Sequence, residues 1–131
     1  MNDTRMRSPL GRAIGLGSAK EGVQHWWVQR LTAVALVPLA VWFVIVILEL
    51  AATGADRAEL VAWVRHPVPA AVWILLLIAV FYHAALGLQV IVEDYVGNRA
   101  ARYTLLILIR LGAVLLGVLG IVAVVKLLLG G

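Results

Sequence analysis

Three long apolar runs constrain the fold of this chain more than any other feature of its sequence. They extend from Leu31 to Ala52, from Ala70 to Val92 and from Thr104 to Leu129. Each reaches about 20 residues, the length that an α-helix needs to cross about 30 Å of hydrocarbon. Because 63% of the 131 residues are hydrophobic and only 14% are charged, a soluble domain would have to be almost entirely core. The sequence therefore predicts an all-α membrane protein with three transmembrane helices.

The residues before the first run differ in character from the rest of the chain. Residues 1–29 are predicted to form a cytoplasmic N-terminal arm and a short amphipathic segment at the membrane interface, and residues 30–131 the three-helix membrane anchor domain. Ser18, with Glu21 three residues later, has the pattern of a helix N-cap. No short apolar core with a small-residue cleavage site precedes the first run, so we expect the first transmembrane helix to act as its own insertion signal.

The connections between the runs predict how the helices are arranged. Ala58–Val64 is expected to be a short interfacial turn between the first and second helices. The second connection, Gly97–Arg102, is short, so the second and third helices should be antiparallel neighbours. Ala113, Gly117 and Gly120 share one face of the third helix, and small residues on a membrane helix allow another helix to approach closely.

Basic residues predict the orientation of the chain, because they direct the segments that carry them to the cytoplasmic side. Five precede the first run, namely Arg5, Arg7, Arg12, Lys20 and Arg30, and two, Arg99 and Arg102, lie between the second and third runs. On the other side, Arg57 and Arg65 lie between the first and second runs, and Lys126 lies near the C-terminus. The N-terminus should therefore be cytoplasmic and the C-terminus on the opposite side. The net charge of +4 indicates topology and contact with the lipid bilayer, and the scattered basic residues predict no nucleic-acid partner.

The absence of cysteine excludes several kinds of redox site from this chain. The chain by itself cannot form a disulfide, a thiolate metal site, an iron–sulfur ligand set or a covalent c-type haem attachment. A non-covalent group bound through other side chains remains compatible with the sequence.

His83 is a polar side chain predicted to lie deep in the membrane. It is about 20 Å into the second helix from Ala70, near the bilayer midplane, where polar groups are expensive. It either forms a hydrogen bond to a neighbouring helix or is an axial ligand of a b-type haem. Gly87 and Ala79 lie on or near its face and leave room for a flat macrocycle, although close helix packing would use small residues too. The other two histidines, at positions 25 and 66, cannot reach this depth, so a second histidine ligand would have to come from another subunit.

Three further side chains lie at the cytoplasmic end of the predicted bundle. Tyr95 and Asp94 close the second helix, about 17 Å beyond His83. A phenol hydroxyl can donate to a quinone carbonyl, and a neighbouring carboxylate can relay protons, but a tyrosine and an aspartate here are also typical of an interfacial anchor and a solvated charge. Arg30 is either a topology determinant that contacts lipid phosphate or a site residue.

Arg110, within the third run, either extends to the cytoplasmic surface or pairs with an acidic group of a partner.

The chain resembles the smaller membrane anchor subunit of bacterial succinate dehydrogenase, respiratory complex II. The resemblance covers nearly the whole chain and is carried by HWWVQRLTA before the first span and YHAALGLQVIVEDYV at the end of the second. Carried over by position, His83 resembles the haem b axial ligand, with the iron as its metal, and Arg30 resembles the arginine near the haem propionates. Tyr95 resembles the quinone hydrogen-bond donor, and Asp94 the acidic residue beside it.

The resemblance implies a subunit that acts only within an assembly. A flavoprotein subunit oxidises succinate, an iron–sulfur subunit passes the electrons on, and ubiquinone is reduced where that subunit meets two membrane anchors in the bacterial inner membrane. This chain would share haem b with the second, cytochrome b-type anchor and form one wall of the quinone pocket. Two alternatives stay open: a fumarate reductase anchor that runs the chemistry in reverse, and a non-redox assembly or transport subunit in which His83 only packs.

Overall fold

The computed structural model describes residues 21–130, with side chains from residue 23 onward. The arm up to Gly17 and the N-cap prediction for Ser18 lie outside the described residues. The described part forms helices and the short links between them, with bounds α1 Glu21–Thr53, α2 Arg57–Val64, α3 Pro67–Tyr95 and α4 Arg99–Leu128. Of these, α1, α3 and α4 are long and apolar enough to cross a membrane. The prediction of an all-α chain with three transmembrane helices is confirmed.

Helix α1 joins the predicted interfacial segment and the first span into one continuous helix. Its 33 residues extend over about 50 Å, whereas the hydrocarbon core is about 30 Å thick. The boundary expected between residues 29 and 30 therefore falls inside a helix. Trp26 and Trp27, in its early turns, are 49% and 61% exposed, as suits rings at a membrane interface. The helix ends at Thr53 and is followed by Gly54, whose φ of 66° is a conformation that glycine adopts without strain.

The short helix α2 covers the end of the bundle where α3 begins. Asp56 caps it, since its side chain accepts a hydrogen bond from Glu59 N at 2.9 Å while the Glu59 carboxylate accepts one from Asp56 N. The segment expected to be a short interfacial turn is thus an eight-residue helix, and its location at the interface stays a prediction. A small buried cluster of Val64, Ala70 and Val124 joins α2 to the ends of α3 and α4. Burial of these apolar side chains seats α2 on the two long helices.

An aromatic cluster ties α1 to α3 near this same end. The rings of Trp42 and Trp63 are stacked with centroids 5.8 Å apart. Trp73 forms edge-to-face pairs with Trp42 and Phe43, with centroid distances of 5.9 Å and 5.4 Å. Each such pair contributes about 0.5–1.5 kcal/mol beyond the area that it buries. The cluster was not predicted from the sequence, and it fixes how α1 lies along α3.

Helix α3 is the central span and packs against both α1 and α4. The link between α3 and α4 is short, and Asn98 caps α4 by accepting a hydrogen bond from Ala101 N at 3.1 Å. The two helices are thus antiparallel neighbours, as predicted. The small-residue face of α4 is also confirmed as a packing surface, because Gly117 lies against Phe81 of α3 and Gly120 against Leu77.

Gly120 is the glycine at which this packing is tightest. A Cβ atom there would lie 3.1 Å and 3.2 Å from the two Leu77 methyl carbons. We expect Gly120→Ile to push α4 away from α3 and to lower the stability of the bundle by about 1–3 kcal/mol, the usual effect of overpacking. The measurement is the apparent Tm of the purified protein in detergent. Gly112→Ile is the matched control, since no heavy atom lies within 4 Å of its Cβ position. Equal losses of Tm in both variants would contradict the tight contact.

Candidate functional site

His83 lies in the middle of α3 and faces α1. It is 16 residues from Pro67 and 12 from Tyr95, or about 24 Å and 18 Å from the two ends of the helix. The side chain is half-buried, and its Nδ1 lies 2.9 Å from Thr32 Oγ1 of α1. The expected hydrogen bond to a neighbouring helix is therefore present, and it occupies one of the two ring nitrogens.

The second ring nitrogen of His83 remains available. Nε2 forms no hydrogen bond within residues 21–130. The side-chain nitrogens that are enclosed there without a partner are His25 Nε2 and Trp73 Nε1. His83 Nε2 is not one of these, so within the described residues it is not fully enclosed. An imidazole held through Nδ1 with an unbonded and incompletely enclosed Nε2 has the arrangement that a metal-ligating histidine requires.

The small residues beside His83 are divided between packing and open surface. Ala79 is 7% exposed, and a Cβ atom at Gly87 would lie 4.0 Å from Gln29 Nε2 of α1. Part of the room predicted beside His83 is therefore used by α1. Ala84, the next residue along α3, is exposed and leaves the outer side of the histidine uncrowded. The residues thus fit a flat group approaching from outside the bundle better than one enclosed between α1 and α3.

His83 is not part of a cluster of metal-binding side chains in the described part of the chain. No three His, Cys, Asp or Glu side chains lie close enough together there to hold a metal ion. The described residues therefore do not provide a complete protein-ligated metal site, and a metal bound at His83 would need further ligands from elsewhere.

Tyr95 and Asp94 form an exposed end to α3. The Tyr95 ring is 84% exposed, and no hydrogen bond within residues 21–130 engages its hydroxyl. Arg102 Nε donates a hydrogen bond to Val96 O at 3.0 Å, which satisfies a free carbonyl and places a cation at the C-terminal end of the helix. The structure does not bring Tyr95 to His83, because the two are about 18 Å apart along one helix.

Arg30 lies on α1, two residues before the threonine that contacts His83. Its guanidinium carbon is 4.5 Å from the centre of the Trp26 ring, a cation–π contact one helical turn apart. The side chain is exposed and has no ion pair within the described residues. Since residues two apart on a helix do not face the same side, Arg30 and Thr32 lie on different faces of α1. The chain alone therefore does not join Arg30 to His83.

Comparison with known proteins identifies the family of this three-span chain. The family model described as "Succinate dehydrogenase/Fumarate reductase transmembrane subunit" matches residues 4–119. The chain belongs to this family. The family is the one that the sequence resembles, so the resemblance is confirmed at this level.

Members of the family with curated names are similar over most of their length. The chain is 36% identical to the succinate dehydrogenase hydrophobic membrane anchor subunit of Rickettsia bellii over 118 residues, covering 90% of this chain and 93% of the relative. It is 37% identical to the subunit of the same name in Paracoccus denitrificans over 91 residues, covering 70% and 69%. It is 30% identical to that of Rickettsia conorii over 106 residues, covering 80% and 82%. No solved structure gives a significant match.

Two polar features of this family member were not foreseen as such from its sequence. Thr32 carries a hydroxyl within an apolar run. Its position there is the sequence feature that could have marked it as a polar contact between helices. Arg110 donates from Nη2 to Gln89 Oε1 at 3.0 Å, and Gln89 Nε2 donates to Glu93 Oε1 at 2.8 Å. The amide thus links a cation on α4 to a carboxylate on α3. Within the described residues Arg110 contacts an amide and forms no ion pair, so its pairing with an acidic group of a partner stays a prediction.

A groove of about 570 Å³ is formed by α3 and α4, with His25 of α1 at one wall. Its walls are mostly apolar and include Phe81, Ala85 and Gly117, with His25 and Arg110 among its few polar groups. His83 is not among the residues that line it. The groove and the histidine are therefore separate features of this subunit.

Proposed function

We propose that this chain is a membrane anchor subunit of a succinate:quinone oxidoreductase in a bacterial inner membrane. Membership of the family supports this proposal, and the curated names of the relatives favour succinate oxidation over fumarate reduction. The chain works with a flavoprotein subunit, an iron–sulfur subunit and a second membrane anchor. Its own part is to hold the electron-accepting side of the enzyme in the membrane.

The observation that carries the redox part of the proposal is the hydrogen bonding of the two ring nitrogens of His83. Its Nδ1 contacts Thr32, while Nε2, at mid-helix, has no hydrogen bond within the described residues and is not fully enclosed. Nε2 of His83 would hold the iron of haem b, and a histidine of the second anchor would supply a further ligand. When bound, haem b supplies a one-electron carrier inside the membrane. Arg30 is exposed on the neighbouring helix, and its guanidinium suits a propionate carboxylate, to which it donates paired hydrogen bonds.

Tyr95 and Asp94 are assigned to the ubiquinone-reduction site. The Tyr95 hydroxyl donates a hydrogen bond to a quinone carbonyl oxygen, and the Asp94 carboxylate orders water that delivers protons. Ubiquinone takes up two electrons from the iron–sulfur subunit and two protons from water to become ubiquinol. Both side chains are exposed in this chain, so they form one wall of a pocket that the partner subunits complete.

The experiment that tests the redox function is a reduced-minus-oxidised optical spectrum of the complex purified through this subunit. We expect the bands of a low-spin b-type haem, because only the redox function requires one. A correctly assembled complex without these bands would leave His83 as a packing residue. The non-redox alternative would then be the better assignment.

The orientation of the chain is tested separately. A reporter fused after Gly131 should be active on the periplasmic side, and one at the N-terminus should report the cytoplasm. This result is expected because the basic residues are concentrated before α1 and between α3 and α4, and because three spans place the termini on opposite sides. Reporters that place both termini on one side would contradict the three-span topology.

A further inference from the structure

Three short contacts of the Thr32 hydroxyl restrict where the protons lie beside His83. Thr32 Oγ1 is 2.9 Å from Val28 O, 3.0 Å from Gln29 O and 2.9 Å from His83 Nδ1. A hydroxyl has one hydrogen to donate and two lone pairs, whereas a carbonyl oxygen can only accept. The single hydrogen of Thr32 is therefore directed either to the carbonyls of α1 or to the imidazole.

Thr53, at the end of the same helix, shows what a threonine hydroxyl does here when no imidazole is near. Its Oγ1 is 2.9 Å from Glu49 O and 3.3 Å from Leu50 O, and the side chain is exposed. Donation to the carbonyls three and four residues earlier is an ordinary arrangement for threonine in a helix. Thr32 has the same arrangement with a shorter second contact. Its hydrogen is therefore placed on the α1 carbonyls.

The proton of the imidazole follows from this placement. With its hydrogen directed to α1, Thr32 Oγ1 presents only lone pairs to His83. Two lone pairs 2.9 Å apart would repel, so Nδ1 must carry a hydrogen and donate it to Oγ1. A neutral imidazole has one N–H, and Nε2 is left with a free lone pair. That is the tautomer in which Nε2 can bind a metal.

We infer that Thr32 is a positioning residue that holds His83 in the Nδ1–H tautomer and directs Nε2 out of the bundle. The inference rests on the proposed function for the identity of the bound group, haem iron. A hydrogen bond from Nδ1–H increases the electron density that Nε2 donates, and ferric iron gains more from it than ferrous iron because its charge is higher. Thr32 should therefore strengthen haem binding and lower the midpoint potential of the haem.

The test compares Thr32→Val, Thr32→Ser and wild type in the whole purified complex. Valine keeps the shape of threonine but has no hydroxyl, so His83 loses its acceptor. We expect haem loss to a scavenging apoprotein to become about 10–100 times faster, the usual effect of removing the partner of a ligating histidine, and the haem midpoint potential to rise. Thr32→Ser keeps the hydroxyl and should stay close to wild type in both measurements. Thr32→Ala, which introduces no added bulk, should match Thr32→Val.

Thr53→Val is the matched control, because it removes the same back-bonded hydroxyl where no histidine depends on it. It should leave haem retention and potential unchanged. Wild-type haem retention and potential in Thr32→Val would overturn the inference. So would a Thr32→Ser complex that behaves like Thr32→Val, since the effect would then come from packing.

His83→Leu, measured in parallel, separates this inference from the proposed function. Persistence of the low-spin bands in His83→Leu would overturn the ligand assignment and the role of Thr32 together. Loss of the bands in His83→Leu with an unchanged Thr32→Val complex would overturn only the role of Thr32.

Discussion

Replacing His83 with leucine should abolish the low-spin b-type spectrum of the assembled complex or convert it to a high-spin form. The change removes Nε2, the donor assigned to the iron, and no other histidine of the described residues lies at that depth. Leucine is apolar and suits a membrane helix. Thr32 keeps its own hydrogen bond to Val28 O at 2.9 Å, so no unpaired hydroxyl is left behind. The complex should therefore assemble without its normal haem signal.

The measurement is the reduced-minus-oxidised spectrum, normalised to the flavin content of the same preparation. His66→Leu is the control, because His66 is exposed at the start of α3 and its side chain makes no capping hydrogen bond. Its spectrum should equal that of wild type. Unchanged low-spin bands in an assembled His83→Leu complex would exclude His83 as a ligand.

Replacing Tyr95 with phenylalanine should slow ubiquinone reduction while sparing the oxidation of succinate by an artificial acceptor that takes electrons upstream. The ring and its packing are kept, so only one hydrogen bond is lost. A neutral hydrogen bond contributes on the order of 0.5–1.5 kcal/mol, which corresponds to about 2- to 13-fold in rate. The loss should be larger if the bond strengthens as negative charge develops on the quinone oxygen.

The comparison is made between quinone reductase turnover and artificial-acceptor turnover in one preparation. Tyr103→Phe is the matched control, since Tyr103 lies at the same end of the bundle, early in α4, and is 65% exposed. It should leave both activities unchanged. If Tyr95→Phe kept wild-type quinone turnover and inhibitor affinity, Tyr95 would be an interfacial anchor and the pocket would belong to the partner subunits.

Much of the fold could be predicted because the membrane leaves few ways to satisfy a backbone. Apolar runs of this length must be helices, since backbone groups in hydrocarbon have no water to bond with. The short link around Asn98 then fixed α3 and α4 as antiparallel neighbours. The same reasoning found the contact face at Gly117 and Gly120, where small side chains let helices approach. The place where α1 begins was less predictable, because a helix can extend beyond the hydrocarbon into the interface.

The candidate site was predictable in its residue types but not in its contacts. His83 stands out along the sequence because a polar side chain in a membrane helix is expensive, and Tyr95 and Asp94 stand out through their spacing from it. Nothing in the sequence indicates which face of α1 meets α3. That face depends on the aromatic cluster around Trp42 and Trp73, which joins residues far apart in the chain.

The sequence by itself determined the number of spans, the depth of His83 and the family to which the chain belongs, since each follows from local composition and spacing. Only the tertiary structure decided which nitrogen of His83 is free. That choice depends on Thr32, 51 residues earlier, whose hydroxyl approaches Nδ1 only because α1 packs on α3. A hydrogen bond between two helices is set by their relative rotation, and rotation is decided by side-chain packing along the whole contact.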